Sequence, residues 1–168
     1  MLDLLITSKT RIRLLVKFFI TSANSGHLRG LASEFNESTN AIRKELNHLS
    51  EAGYLKKNEI GNKIAYTANT QHPMFHLLQQ VVHKYIGLDA IVAQILERMG
   101  NVQVIELIGA YAKGIDSGTI EVNIVGAPIN TSYVSGIIPK LETLVHRKVV
   151  FHYNKELSVD GIILFGEV

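Results

Sequence analysis

Cysteine is absent from the 168-residue chain. That absence excludes disulfide staples, thiolate zinc sites and thiol redox sensing, and it suits a reducing compartment. No apolar run approaches the roughly 18 residues that would suggest a membrane-spanning helix. The opening segment, Met1 to Ile6, is apolar but short, carries Asp3 and runs into a polar helix start, so no signal peptide is expected and the expected location is cytoplasmic. Internal repeats and low-complexity linkers are missing, as are the Gly-x-Gly phosphate loops of Walker or Rossmann type.

Apolar residues make up 46% of the chain, enough for it to fold, and its length allows one large domain or two small ones. The net charge of +2 hides an asymmetry. Residues 1 to 72 hold ten Lys/Arg against six Asp/Glu, and residues 73 to 168 hold seven against nine. The basic first part suits a polyanion such as DNA.

Hydrophobic spacing divides the first part into three helices and a hairpin. After Ser8, a capping residue, Ile12, Leu15 and Phe19 mark one face of a first helix that ends at Ser22 to Gly26. Leu28, Leu31, Ala32 and Phe35 form a short second helix. The turn Asn36 to Ser38 follows, and Ile42, Leu46 and Leu49 then set a third helix from Thr39 to Gly53. Tyr54 to Glu59 and Lys63 to Ala68 read as strands joined by Ile60, Gly61 and Asn62. Pro73 suits the first turn of a fourth helix, whose seam of Met74, Leu77, Leu78, Val81, Val82, Tyr85 and Ile86 alternates three and four apart. Gly87 interrupts it, and Leu88 to Met99 continue as a fifth helix. Beyond Gly100 the period becomes strand-like, with strands at Val102 to Ile108, Thr119 to Val125, Lys148 to Tyr153 and Gly161 to Phe165 around a helix at Ser132 to Val145. The expected fold is α+β, with a winged helix-turn-helix at 1–72, linking or dimerisation helices at 73–100 and a mixed α/β domain at 101–168.

In a helix-turn-helix the second helix of the pair enters the major groove, base edges are read near its N-terminus, and flanking cations hold phosphates. The third helix here offers Ser38, Thr39, Asn40, Arg43, Lys44 and Asn47 away from its apolar stripe. Arg forks onto guanine O6 and N7, and Asn onto adenine N6 and N7. Lys56, Lys57, Asn62 and Lys63 of the hairpin, with Lys9 and Arg29, are then phosphate or minor-groove contacts. Taken singly, each of these is equally an ordinary solvated residue. As a set, Ser8 to Ala68 resembles the winged helix-turn-helix of bacterial ArsR-like repressors: Leu28 to Phe35 matches the first helix of the pair, Ser38 to Leu49 the second, and Glu51-Ala-Gly-Tyr-Leu55 the lead into the wing. The resemblance implies a homodimer on double-stranded operator DNA. The seam of Met74, Leu77, Leu78, Val81, Val82 and Tyr85 is the candidate dimer surface, its alternative being core that joins the two domains.

Residues 107 to 126 resemble the core of the minimal nucleotidyltransferases related to DNA polymerase beta. That family ends a strand in Gly-Ser, opens a helix with Ala-Arg/Lys-Gly and carries Asp-x-Asp on the next strand, where two carboxylates on one face hold Mg²⁺. Gly109, Lys113 and Gly114 match; Ala110 stands at the serine, and Glu121 and Asn123 stand at the acid pair. With a hydroxyl lost, one acid lengthened and the other neutral, the resemblance implies a pseudoenzyme-like domain that serves as a ligand or partner module. No cofactor, no catalytic residue and no bound metal are expected. Two alternatives stand beside this: an active nucleotidyltransferase modifying a protein or RNA through Glu121, and a metal-sensing repressor using His72, His76 and His83. Position 80 is Gln, and no acid sits three or four residues after either helical histidine. His146 and His152 lack a nucleophile with an orienting acid, so no triad is arguable.

Overall fold

The computed structural model describes residues 2–167; Met1 and Val168, the outer ends of the expected first and last domains, lie outside the described residues. The chain divides into two compact units, Met1–Tyr85 and Ile86–Val168. The architecture is α+β. Among the described residues no helix is long and apolar enough to cross a membrane.

The first unit is a winged helix-turn-helix. After a short 3-10 turn at Leu2–Leu4 come α1 (Lys9–Phe19), β1 (Ser25–His27), α2 (Leu28–Phe35), α3 (Thr39–Glu51), β2 (Leu55–Ile60), β3 (Lys63–Ala68) and α4 (Phe75–Ile86). Ser8 starts α1 by accepting from the Arg11 N–H at 3.2 Å, and Ser38 starts α3 by accepting from the Ala41 N–H at 3.2 Å. Each such cap stabilises its helix by about 1 kcal/mol. Asn36, left-handed at φ 53°, ends α2 and sets the tight turn into α3. Ile42 and Leu46 of α3 are fully buried, together with Leu14 and Phe18 of α1 and Leu31 of α2, where the 3.6-residue period places them.

Two details depart from the sequence reading. Ser25 to His27, which overlaps the break expected at Ser22 to Gly26, is a third strand that pairs antiparallel with β3, giving the sheet order β1-β3-β2. Its pairing is tertiary, and three residues are too few to show a period. Pro73 and Met74 form the turn before α4 rather than its first turn, and the helix opens at the first buried residue, Phe75, which packs on Phe19 at 5.8 Å between ring centroids.

The second unit contains α5 (Leu88–Arg98), β4 (Gly100–Ile108), α6 (Gly109–Ala112), β5 (Thr119–Ile129), α7 (Thr131–Val145), β6 (Lys148–His152) and β7 (Ile162–Phe165). Its sheet runs β6-β5-β4-β7, parallel between β5 and β6 and antiparallel elsewhere. Cross-strand register puts Ile105 and Leu107 opposite Ile124 and Val122 on one side, all buried. The alternate residues Glu106 and Ile108 lie opposite Asn123 and Glu121 on the other side. β5 continues four residues past its expected end at Val125, through Gly126 to Ile129, and β4 accommodates it with register shifts between Gly100 and Val104.

Candidate nucleic-acid interface and the polar face of the second sheet

The four buried residues of α3, Ile42, Glu45, Leu46 and Leu49, fix which way the helix faces. At 100° per residue, Asn40, Lys44 and Asn47 fall on the opposite side, followed by Glu51, with Arg43 and His48 on its flanks. Arg43 donates from Nη1 to the Asn40 amide oxygen at 3.0 Å, so these two side chains are held as a pair. Thr39, Asn40, Arg43 and Lys44 are exposed, and Asn47 is half-buried. The first turn of α3 holds no acid, which leaves its positive end open to an anion. Ser38 is exposed, with its hydroxyl oxygen occupied by the cap.

The acids of this unit are largely neutralised from within. Arg11 and Ser8 bind the two oxygens of Glu45 at 2.7 and 2.8 Å. Arg13 and Thr10 bind Glu37, and Lys17 lies 3.1 Å from Glu34. Burial alone would raise the Glu45 carboxyl, but the hydrogen bonds from Arg11 and Ser8 outweigh it and hold the group below the ordinary glutamate range. Arg11, Arg13 and Lys17 of α1 are therefore tied to the fold. Lys9 at the start of α1, Arg29 of α2, Lys44 of α3 and Lys56, Lys57 and Lys63 of the hairpin are free to meet an external anion, since all are exposed and make no ion pair with the described residues.

The hairpin sorts its lysines by face. Register pairs Ile60 with Lys63 and Lys56 with Thr67, so Lys56, Asn58, Ile60 and Lys63 share one face. Lys57 and Glu59 share the other with the buried Leu55. Gly61 at φ +61° and the exposed Asn62 make the two-residue tip, where glycine supplies the positive φ that a primed turn requires.

The α4 seam splits in two. Its Val82 and Ile86 are buried, as is Phe75, which the seam does not include. Met74 and Leu77 are 40% and 49% exposed, and the half-buried Leu78, Val81 and Tyr85 lie beside them on a separate stripe. The three histidines of this region serve separate contacts. His72 stacks on Tyr54 at 4.4 Å and accepts from the Met74 N–H, His76 meets the Phe75 ring edge-on, and His83 Nε2 lies 3.2 Å from the Ile20 carbonyl. Among the described residues no three His, Asp or Glu come together as a metal-binding set.

In the second unit Gly109 and Glu121 lie against each other. A Cβ on Gly109 would stand 2.4 Å from the Glu121 carboxylate, which would have to move aside, and the residue has φ +71°, a conformation that favours glycine. The other carboxylate oxygen of Glu121 is 3.0 Å from His152 Nε2. Ala110 is half-buried and Lys113 exposed, while Gly114 is buried at φ +75° in the turn that ends α6. Asn123, two residues from Glu121 on the same strand face, is fully buried and withdrawn into a network. It donates to Glu106 Oε1 at 2.6 Å and to the Glu156 carbonyl at 3.3 Å, and accepts from the Asn154 N–H at 2.9 Å. Glu106, also fully buried, accepts the Ser158 N–H at 3.0 and 3.2 Å. Residues 153 to 161 are thus anchored over the polar face of the sheet. Asp116 is likewise engaged, bound by Arg147 at 3.1 Å and by the Tyr111 hydroxyl.

Sequence reasoning missed Glu106 and His152 as partners of the acid-pair positions. Glu106 was detectable only once β4 and β5 were placed in antiparallel register, which sets it directly opposite Asn123.

A solved structure described as reduced HlyU from Vibrio cholerae N16961 is similar to this chain at 17% identity and a TM-score of 0.40, over 49% of this chain and 82% of that one. No protein-family model and no curated protein matches the chain.

Proposed function

We propose that the chain is a sequence-preferring DNA-binding regulator of transcription that acts as a homodimer, and that its second unit is a nucleotidyltransferase-like module without the chemistry. The observation that carries the reading is the outward stripe of α3. Asn40, Lys44 and Asn47, with Arg43 paired to Asn40, form a hydrogen-bonding and cationic surface on a helix whose only buried acid is neutralised by α1. The unpaired lysines of the hairpin extend that charge. Such a surface reads base edges through Arg and Asn and holds phosphate through Lys.

The exposed stripe of α4 supports the dimer. An aliphatic row on one side of a helix, with a buried row on the other, suits a second copy of the same helix. Two recognition helices related by a two-fold axis then read a pseudo-palindrome with half-site centres about 34–36 Å apart.

For the second unit, Ala110 at the serine position and the commitment of Asn123 to Glu106 support a module that binds a ligand or partner without turnover. A hard dication needs close anionic oxygens, and Glu121 is the single carboxylate left at the pair.

Binding of the purified chain to DNA from upstream of its own gene, measured at two salt concentrations against random duplex, tests the main reading. A sequence-preferring complex that weakens steeply with salt is expected, with Arg43→Ala relaxing base preference and Lys63→Ala weakening all sequences alike. Absence of any preferred complex at low salt refutes it. Incubation with labelled nucleoside triphosphates and Mg²⁺ or Mn²⁺ tests the second unit: transfer abolished by Glu121→Ala refutes the pseudoenzyme reading, and thermal stabilisation by a nucleotide without transfer identifies the ligand class.

A further inference from the structure

We propose that Ile60, at the tip of the β2–β3 hairpin, is an apolar wedge that enters the minor groove and partly unstacks one base step, so that the protein bends the DNA it binds. The inference rests on the DNA-binding reading and adds to it a mode of deformation.

Ile60 is the last residue of β2 and is 69% exposed. Beyond it the chain turns through Gly61 and Asn62, and a Cβ placed on Gly61 would meet nothing within 4 Å, so the tip stands clear of the body. Single exposed aliphatics are common and need no explanation. The setting of this one is what carries the argument. Its hairpin face also bears Lys56, Asn58 and Lys63, and no acid, because Glu59 points to the opposite face. An isoleucine held at a projecting tip between unpaired cations has a polyanion as its complement.

The minor groove of B-DNA is about 6 Å wide, so a two-residue turn enters it where a helix does not. Phosphates line both rims and suit the two lysines, Asn62 at the tip can read the acceptors on the groove floor, and the aliphatic side chain then faces base edges. Isoleucine is among the residues that insert between base steps in this position and kink the duplex toward the major groove. Burying the side chain is favourable and unstacking a step is unfavourable by a comparable amount. Removal of the wedge should therefore change DNA geometry far more than affinity.

The test uses the full chain and a duplex recovered from a random-sequence pool as its preferred site, with 2-aminopurine placed in turn at each step flanking the half-sites. The wild-type protein should raise fluorescence at one flanking step by about two-fold or more and bend the duplex within the roughly 20–90° range of such wedges, as read by energy transfer between its ends. Ile60→Ser should lose both signals while its Kd stays within about ten-fold of wild type, and Ile60→Leu should keep them. Lys63→Ala should weaken binding and retain the fluorescence change. Equal bending by wild type and Ile60→Ser overturns the wedge and leaves the DNA-binding reading standing. Loss of self-association in Ile60→Ser, with bending retained, assigns the tip to a second copy and also overturns it. A pool that yields no preferred sequence removes the DNA-binding reading and the wedge together.

Discussion

Restoring the acid pair of the second unit by Asn123→Asp should damage the fold rather than awaken chemistry. Asn123 is fully buried and gives two hydrogen bonds, one to Glu106 at 2.6 Å and one to the Glu156 carbonyl. Aspartate removes both donors and places a second carboxylate within contact of the first, where no cation lies among their partners. An uncompensated buried charge costs about 3–5 kcal/mol. A unit the size of Ile86–Val168 has a total stability of about 4–12 kcal/mol at ~0.05–0.15 kcal/mol per residue. The substitution therefore removes about a quarter of the stability or more. At about 4–8 °C per kcal/mol for a domain of this size, Tm falls by more than about 10 °C, which calorimetry of the full chain resolves. The deficit should shrink on acidification, because a proton bound between the two carboxyls in the folded variant removes their repulsion and is released on unfolding, so stability falls as pH rises. Glu106→Gln in the same chain reverses donor and acceptor and should recover about 0.5–3 kcal/mol as coupling in a double-mutant cycle. An Asn123→Asp protein that melts within about 2 °C of wild type, or a double variant no better than the sum of its parts, refutes the buried-network account.

Other substitutions probe the remaining contacts. Burial pushes the Asp116 carboxyl up, but the Arg147 and Tyr111 hydrogen bonds outweigh it and the group sits below the ordinary aspartate range. Its contribution is thus present above the unfolded value and lost as pH falls through the folded one, so Asp116→Asn should flatten the acid limb of the stability–pH curve below about pH 4, measured by denaturant titration. Glu45→Gln removes the charged acceptor of Arg11 and Ser8 and should cost about 1.5–3 kcal/mol in the first unit, read as a lower urea midpoint with unchanged slope. Leu77→Glu, at a residue 49% exposed, should leave Tm within a few degrees and convert a dimer to a monomer in sedimentation; a dimer that persists moves the self-association surface away from α4.

Long, strongly periodic elements were legible in the sequence. The spacing of Ile42, Leu46 and Leu49 placed α3, its buried side and, by subtraction, Asn40, Lys44 and Asn47. Ser8 and Ser38 were readable as caps because a hydroxyl before an apolar period has a local job. What escaped was set by partners distant in the chain. β1 exists because β3 comes alongside it. The burial of Glu106 depends on Asn123, 17 residues on, and on the Ser158 amide, 52 residues on. The same holds for the α4 seam: seven apolar residues at helical spacing say that a helix has something to bury, and only packing divides Val82 and Ile86 from Met74 and Leu77.

The anchoring of residues 153 to 161 also gives this stretch a kinetic signature. The segment has no helix or strand of its own, yet the amide protons of Asn154 and Ser158 end on side-chain oxygens of Asn123 and Glu106, which lie in the sheet and are sealed from water. Exchange with deuterated solvent at those two amides then requires the network to open, whereas solvent-facing neighbours such as Lys155 and Val159 exchange without it. A loop by outline, this stretch exchanges at its two anchors with the timescale of the sheet beneath.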